Sequence, residues 1–123
     1  METGRARSGE LQIFYRRTGR PGGTPLLIVH GLSYFSYDWM PVAEQLGRDR
    51  EVVAIDMRGF GDSDWSPAQD YSVPFMGNDI LAVLDHLQWP RAVLVGHSMG
   101  GRSATYAAAK HPDRVAALVL VDY

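Results

Sequence analysis

The sequence contains no cysteine. Disulfide stapling, a thiol nucleophile and thiolate metal sites are therefore excluded together. Nor is there an excess of either charge, with 12 Lys and Arg against 14 Asp and Glu. A nucleic-acid surface usually needs clustered basic side chains. The two small groups present, Arg5/Arg7 and Arg16/Arg17/Arg20, read as ordinary solvated surface, so no nucleic-acid partner is expected. The apolar runs are strand-sized, far short of the ~20 residues that span a bilayer as a helix. The opening Met1-Glu2-Thr3-Gly4-Arg5 lacks the apolar segment of a secretory signal. The expectation from these absences is a cytoplasmic protein with no membrane partner. What is present is a composition 46 % hydrophobic over 123 residues. That suffices for one core but is short for an enzyme built on a buried parallel sheet.

The pattern along the chain alternates between strand and helix. Leu11–Tyr15 alternates apolar and polar residues and predicts a strand, with residues 4–9 as its hairpin partner. Arg20-Pro21-Gly22-Gly23 predicts a turn. Leu26–Val29 is continuously apolar, as expected of a strand buried on both faces, and it ends at His30-Gly31. Helical spacing follows over Asp38–Gly47, with Pro41 tolerable in a first turn. Glu51–Ile55 predicts the next strand and ends at Asp56. Met57–Ser63 is a loop dense in Gly and polar residues. Met76, Ile80, Val83, Leu84 and Leu87 then recur at three and four, which predicts a helix within Tyr71–Gln88. Ala92–Val95, an Ala-rich helix over Ser98–Lys110 and the apolar strand Val115–Val121 complete the series, followed by Asp122-Tyr123. Short apolar strands separated by helices predict an α/β fold: a mostly parallel sheet with helices on both faces. In such folds the chemistry collects at the C-terminal ends of the strands, where His30, Asp56, Ser98 and Asp122 all fall.

One motif carries chemistry. Gly96-His97-Ser98-Met99-Gly100 matches G-x-S-x-G, with a buried strand before it and a helix after it. A strand that turns into a helix within about one residue needs a strained backbone at Ser98 and small residues at Gly96 and Gly100. The serine hydroxyl then stands exposed above the sheet at the positive end of a helix. The bland alternative is an ordinary N-cap serine in a glycine-rich helix start. The second feature is Val29-His30-Gly31-Leu32. On a hydrolytic reading, the backbone N–H groups of Leu32 and Met99 converge on a developing oxyanion, and His30 is structural. His97, beside the nucleophile, is expected to point toward the core or a neighbouring loop.

Three segments carry a family resemblance: His30-Gly31 with Trp39 downstream, Asp56-Met57-Arg58-Gly59-Phe60-Gly61-Asp62-Ser63, and Gly96-His97-Ser98-Met99-Gly100-Gly101. In content, order and separation they resemble the α/β-hydrolase superfamily, in its branch of cofactor-free esterases, lactonases and carbon–carbon bond hydrolases. The resemblance runs over essentially the whole chain. It implies a serine hydrolase acting through an acyl-enzyme, with no metal and no organic cofactor. It also implies that the Asp56–Ser63 loop is structural, with Gly59 and Gly61 in tight turns and Arg58 paired to a nearby acid. A relative with an Asp nucleophile, such as an epoxide hydrolase or haloalkane dehalogenase, would carry Asp at position 98, where this chain has Ser. The aromatic loop Tyr34, Phe35, Tyr37 and Trp39 suggests a small hydrophobic or aromatic acyl substrate. Tyr34, Phe35, Phe60 and His97 are its candidate pocket lining, against core packing for Phe35 and Trp39.

The mechanism also needs a base and an acid to orient it. In this fold they follow the serine, acid before histidine. The one later histidine, His111, lies at the far end of a helix of about 12 residues, roughly 18 Å away at 1.5 Å per residue, which excludes it. Asp122 is a minor candidate for the acid. The expectation is therefore the N-terminal portion of a single hydrolase core, truncated after about the sixth strand. The lid, last two strands and C-terminal triad residues would be supplied by a remaining segment, possibly a separate chain. The rival readings are a hydrolase-fold small-molecule binding protein or receptor with little or no turnover, and a truncated product with no stable fold.

Overall fold

A computed structural model of the chain describes residues 1–32 and 34–121. Its elements are β1 (Glu2–Ser8), β2 (Leu11–Gly19), β3 (Leu26–Val29), a 3-10 turn (Ser36–Trp39), α1 (Met40–Leu46), β4 (Glu51–Ile55), α2 (Val73–His86), β5 (Ala92–His97), α3 (Met99–Lys110), a short 3-10 turn (Pro112–Arg114) and β6 (Val115–Val121). The strands form one six-stranded sheet in the order β1-β2-β4-β3-β5-β6. The hairpin β1–β2 and its junction with β4 are antiparallel, and every pairing among β3, β4, β5 and β6 is parallel.

Burial follows the apolar pattern. All four residues of β3 are buried, because α1 covers one face of the sheet and α2 with α3 the other. The larger core joins Ile13, Leu27, Val29, Val53 and Ile55 to Met76, Ile80, Val83, Leu84, Ala104 and Ala107 of the two helices. The smaller one joins Leu26, Ile28, Val52, Ala54 and Val95 to Met40 and Ala43. Alternate strand residues thus feed opposite layers, as the two-residue period of a strand requires.

Element ends depart from the sequence expectation for local reasons. β2 continues to Gly19 because residues 15–19 pair with β4, residues 15–17 of them with β1 as well; this backbone pairing outweighs the polar run Arg16-Arg17-Thr18. The first helix begins as a 3-10 turn, and its α-helical part starts only at Met40, with Pro41 in the first turn. Pro74 similarly marks the start of α2, two residues later than expected. β6, although apolar throughout, lies at the sheet edge, with Val119 and Leu120 exposed.

Two arginines expected as solvated surface are engaged. Arg17 Nε donates to Glu51 Oε1 at 2.9 Å. Arg16 lies over the rings of Phe14 and Tyr37 and donates to Ser36 Oγ. A guanidinium can cover aromatic surface while keeping its charge near water, which composition alone does not reveal.

Candidate active site

β3 is followed by α1 on one face of the sheet, and its neighbour β5 by α3 on the other. Adjacent strands whose connections leave on opposite faces open a crevice at their C-terminal ends. β3 and β5 are in register there, Val29 opposite Gly96. The residues that follow each strand, His30-Gly31-Leu32 and His97-Ser98-Met99, are therefore brought side by side.

Ser98 occupies φ 53°, ψ −115°. That region is sparsely populated for a residue with a Cβ and costs on the order of 1–3 kcal/mol. The surrounding packing enforces it. A Cβ on Gly96 would collide with the backbone of Gly100 and Gly101, and one on Gly100 with the carbonyls of Val29 and His30. The start of α3 is thus pressed against both strands, and the chain must reverse within one residue. Ser98 caps the helix with its own carbonyl, which accepts from Gly101 N–H at 2.9 Å and Arg102 N–H at 3.2 Å. Its side chain stays solvent-facing, with the residue exposed at the helix N-terminus. Met99 is the first helical residue, so its N–H has no intrahelical acceptor.

Leu32 is 62 % exposed, so its side chain packs little against the described residues. The loop around it is held from behind. Tyr34 N–H donates to Gly31 O at 3.1 Å. Gly31 itself lies so close to the His97 ring that a Cβ there would collide with Nδ1. His30 is fully buried. Its Nε2 lies 2.9 Å from Met57 N–H and its Nδ1 2.8 Å from Gly31 O. An amide N–H can only donate and a carbonyl can only accept, so the ring is neutral with its proton on Nδ1. Burial pushes its pKa below the ordinary value.

Asp56, also fully buried, holds two loops at once. Its Oδ1 accepts from Ser36 N–H at 2.6 Å and its Oδ2 from Asp62 N–H at 2.9 Å. Gly61, at φ 51°, leaves the space this carboxylate occupies, and Gly59 takes φ 82° in the same loop. Arg58 finds its acid in Asp79 of α2, Nε to Oδ2 and Nη2 to Oδ1 both at 2.7 Å. That carboxylate holds the guanidinium above its usual pKa. Ser8 Oγ donates to the same carboxylate at 2.5 Å. Asp79 went unnoticed in the sequence, although an acid between Met76 and Ile80 on a buried helix face signals a buried partner.

The pocket candidates separate. Tyr34 and Trp39 both rest against His97, with ring centroids 5.3 and 5.7 Å away. These three line an open cavity of about 280 Å³ with Asp38, Val42 and Val121. Phe35 stacks on Tyr37 at the surface instead of packing in the core. Phe60 turns inward, edge-on to His30 at 5.3 Å and against the larger core. His111 caps the far end of α3. His86 sits near Tyr15 OH at the end of α2. Asp122 lies outside the described residues. Among the described residues, no helix is long and apolar enough to cross a membrane.

A strained serine at a strand-to-helix turn, set at the crevice of a doubly covered parallel sheet, is the nucleophile-elbow arrangement of the α/β-hydrolase fold. The family model described as alpha/beta hydrolase fold matches residues 24–123, and the chain belongs to that family. Among its curated relatives is mouse "Epoxide hydrolase 4", 31 % identical over 121 residues, which cover 97 % of this chain and 33 % of the relative. Among solved structures, a bacterial membrane phospholipase A superposes with a TM-score of 0.92 at 31 % identity, over 98 % of this chain and 39 % of that one. Est816, described as an N-acyl homoserine lactone degrading enzyme, superposes at 0.89 with 33 % identity, over 96 % of this chain and 44 % of that one. The chain thus spans about a third of the curated relative's length.

Proposed function

We propose that these residues form the nucleophile half of a serine hydrolase acting on an ester, lactone or similarly activated carbonyl. The observation that carries this reading is the Ser98 backbone, φ 53° and ψ −115°, at the crevice between β3 and β5. A protein gains no stability from such a conformation, which is expected where a side chain must be presented for chemistry.

On this reading Ser98 Oγ attacks the substrate carbonyl carbon and passes its proton to a general base. Negative charge develops on the carbonyl oxygen and is met by the N–H groups of Leu32 and Met99. The leaving group departs with a proton returned by the base, and water then resolves the acyl-enzyme by the same route in reverse. The base is a histidine of polypeptide outside these 123 residues, on the same chain or a separate one. The orienting acid comes from there too, or from Asp122. The cavity beside His97, walled by Tyr34 and Trp39, supports a small hydrophobic or aromatic acyl group as substrate.

The test is covalent labelling of the intact enzyme with a fluorophosphonate, followed by peptide mass analysis. Modification of Ser98, abolished in a folded Ser98→Ala variant, supports the reading. Labelling that persists in Ser98→Ala removes Ser98 from the role.

A further inference from the structure

The proposed oxyanion donor Leu32 lies in an exposed loop between β3 and α1, so its position must be set by the ends of that loop. The leading end is held by His30 and by contact between Gly31 and His97. The trailing end is held at Ser36, which is fully buried although polar. Its N–H donates to Asp56, and its Oγ accepts from Arg16 Nε at 3.0 Å. Arg16 comes from β2, a strand of the antiparallel hairpin that contributes none of the reacting groups. Its guanidinium lies 5.2 Å from the Phe14 ring centroid and 5.3 Å from that of Tyr37, the residue after Ser36. Among the described residues it has no carboxylate within 4 Å. A half-buried cation is thus held by two rings and one hydroxyl, and two of those three contacts are to the oxyanion loop.

We infer that Arg16 is a positioning residue for the oxyanion loop, acting through the buried Ser36 hydroxyl and the Tyr37 ring. The inference rests on the serine-hydrolase reading and on Leu32 as a donor. A donor loop out of place weakens charge stabilisation in the transition state more than it weakens ground-state binding. The expected signature is therefore a fall in kcat with KM little changed. A merely structural arginine would lower thermal stability and leave the kcat of the folded fraction alone.

The experiment is steady-state ester hydrolysis by the intact enzyme, with active sites counted by fluorophosphonate labelling. Arg16→Met and Ser36→Ala should each lower kcat per labelled site about tenfold, less than the 10²–10³ lost when a donor is removed outright. KM should stay within about twofold. Both changes remove one link, so the double variant should be no worse than the worse single one. Arg16→Lys, which keeps a donor for Ser36, should recover most of the loss. Unchanged kcat in the folded single variants, or losses that multiply in the double variant, would overturn the inference. If Arg16→Met does not fold, Ser36→Ala decides it on the same criterion. Absence of labelling at Ser98 in the wild type would overturn the serine reading and this inference together. Labelled Ser98 with kcat insensitive to both variants would overturn the inference alone.

Discussion

Lowering the pH should weaken this fold through His30, by an amount that can be worked out. The ring is fully buried and bonded as a neutral group between Met57 N–H and Gly31 O. Protonation would place a second N–H against the Met57 amide, donor facing donor. Burial accordingly lowers its pKa in the folded state, while in the unfolded chain it titrates near ~6.5. Below that pH the unfolded state binds a proton that the native state refuses, so stability falls as pH falls. The contribution is complete above the unfolded pKa and is lost progressively below it, until the folded pKa is reached. Between the two pKa values stability falls by at most about 1.36 kcal/mol per pH unit, the linkage limit for a single proton. The assay is urea denaturation between pH 5 and 7.5, on wild type and His30→Gln. Glutamine offers an NH₂ donor group and a carbonyl acceptor but does not titrate in this range. The other histidines and the carboxylates are common to both proteins, so the difference in slope isolates His30. Parallel pH dependences for the two proteins would refute the argument, since they would mean that position 30 does not couple folding to protons.

Two further stability predictions follow from the same network. Asp79→Ala should destabilise the fold by about 3–5 kcal/mol, because it leaves the buried Arg58 guanidinium without its carboxylate; the urea midpoint measures this, and a change below about 1 kcal/mol would contradict the pairing as described. Ser98→Gly should instead raise stability by about 1 kcal/mol, since glycine takes a positive φ without strain, while abolishing labelling; a lower midpoint would mean that position 98 is not strained.

Much of the fold is legible in the chain order of residue types. Continuous apolar runs at Leu26–Val29, Val52–Ile55 and Ala92–Val95 mark strands covered on both faces, because a parallel sheet between helices hides the side chains of both faces. The nucleophile turn is legible because its residues are close in sequence: Gly96, Ser98 and Gly100 lie within five residues, and Gly96 is confined by Gly100 and Gly101, although Gly100 is confined by the distant carbonyls of Val29 and His30. The rest of the site is not local. Asp56 binds Ser36, Met57 binds His30 and Arg58 binds Asp79, across 20, 27 and 21 positions of sequence. No spacing rule links such partners, since a hydrogen bond across the sheet depends on which strand ends become neighbours. Arg16 shows the limit most plainly. As a sequence feature it was one basic residue in a small patch, and as a folded one it reaches Ser36 and Tyr37. Residue order thus sets the layers of the sheet and the tight turn at Ser98. What holds the loop opposite that serine emerges only on folding, because strand order, which is a matter of packing, chooses the partners of each buried polar group.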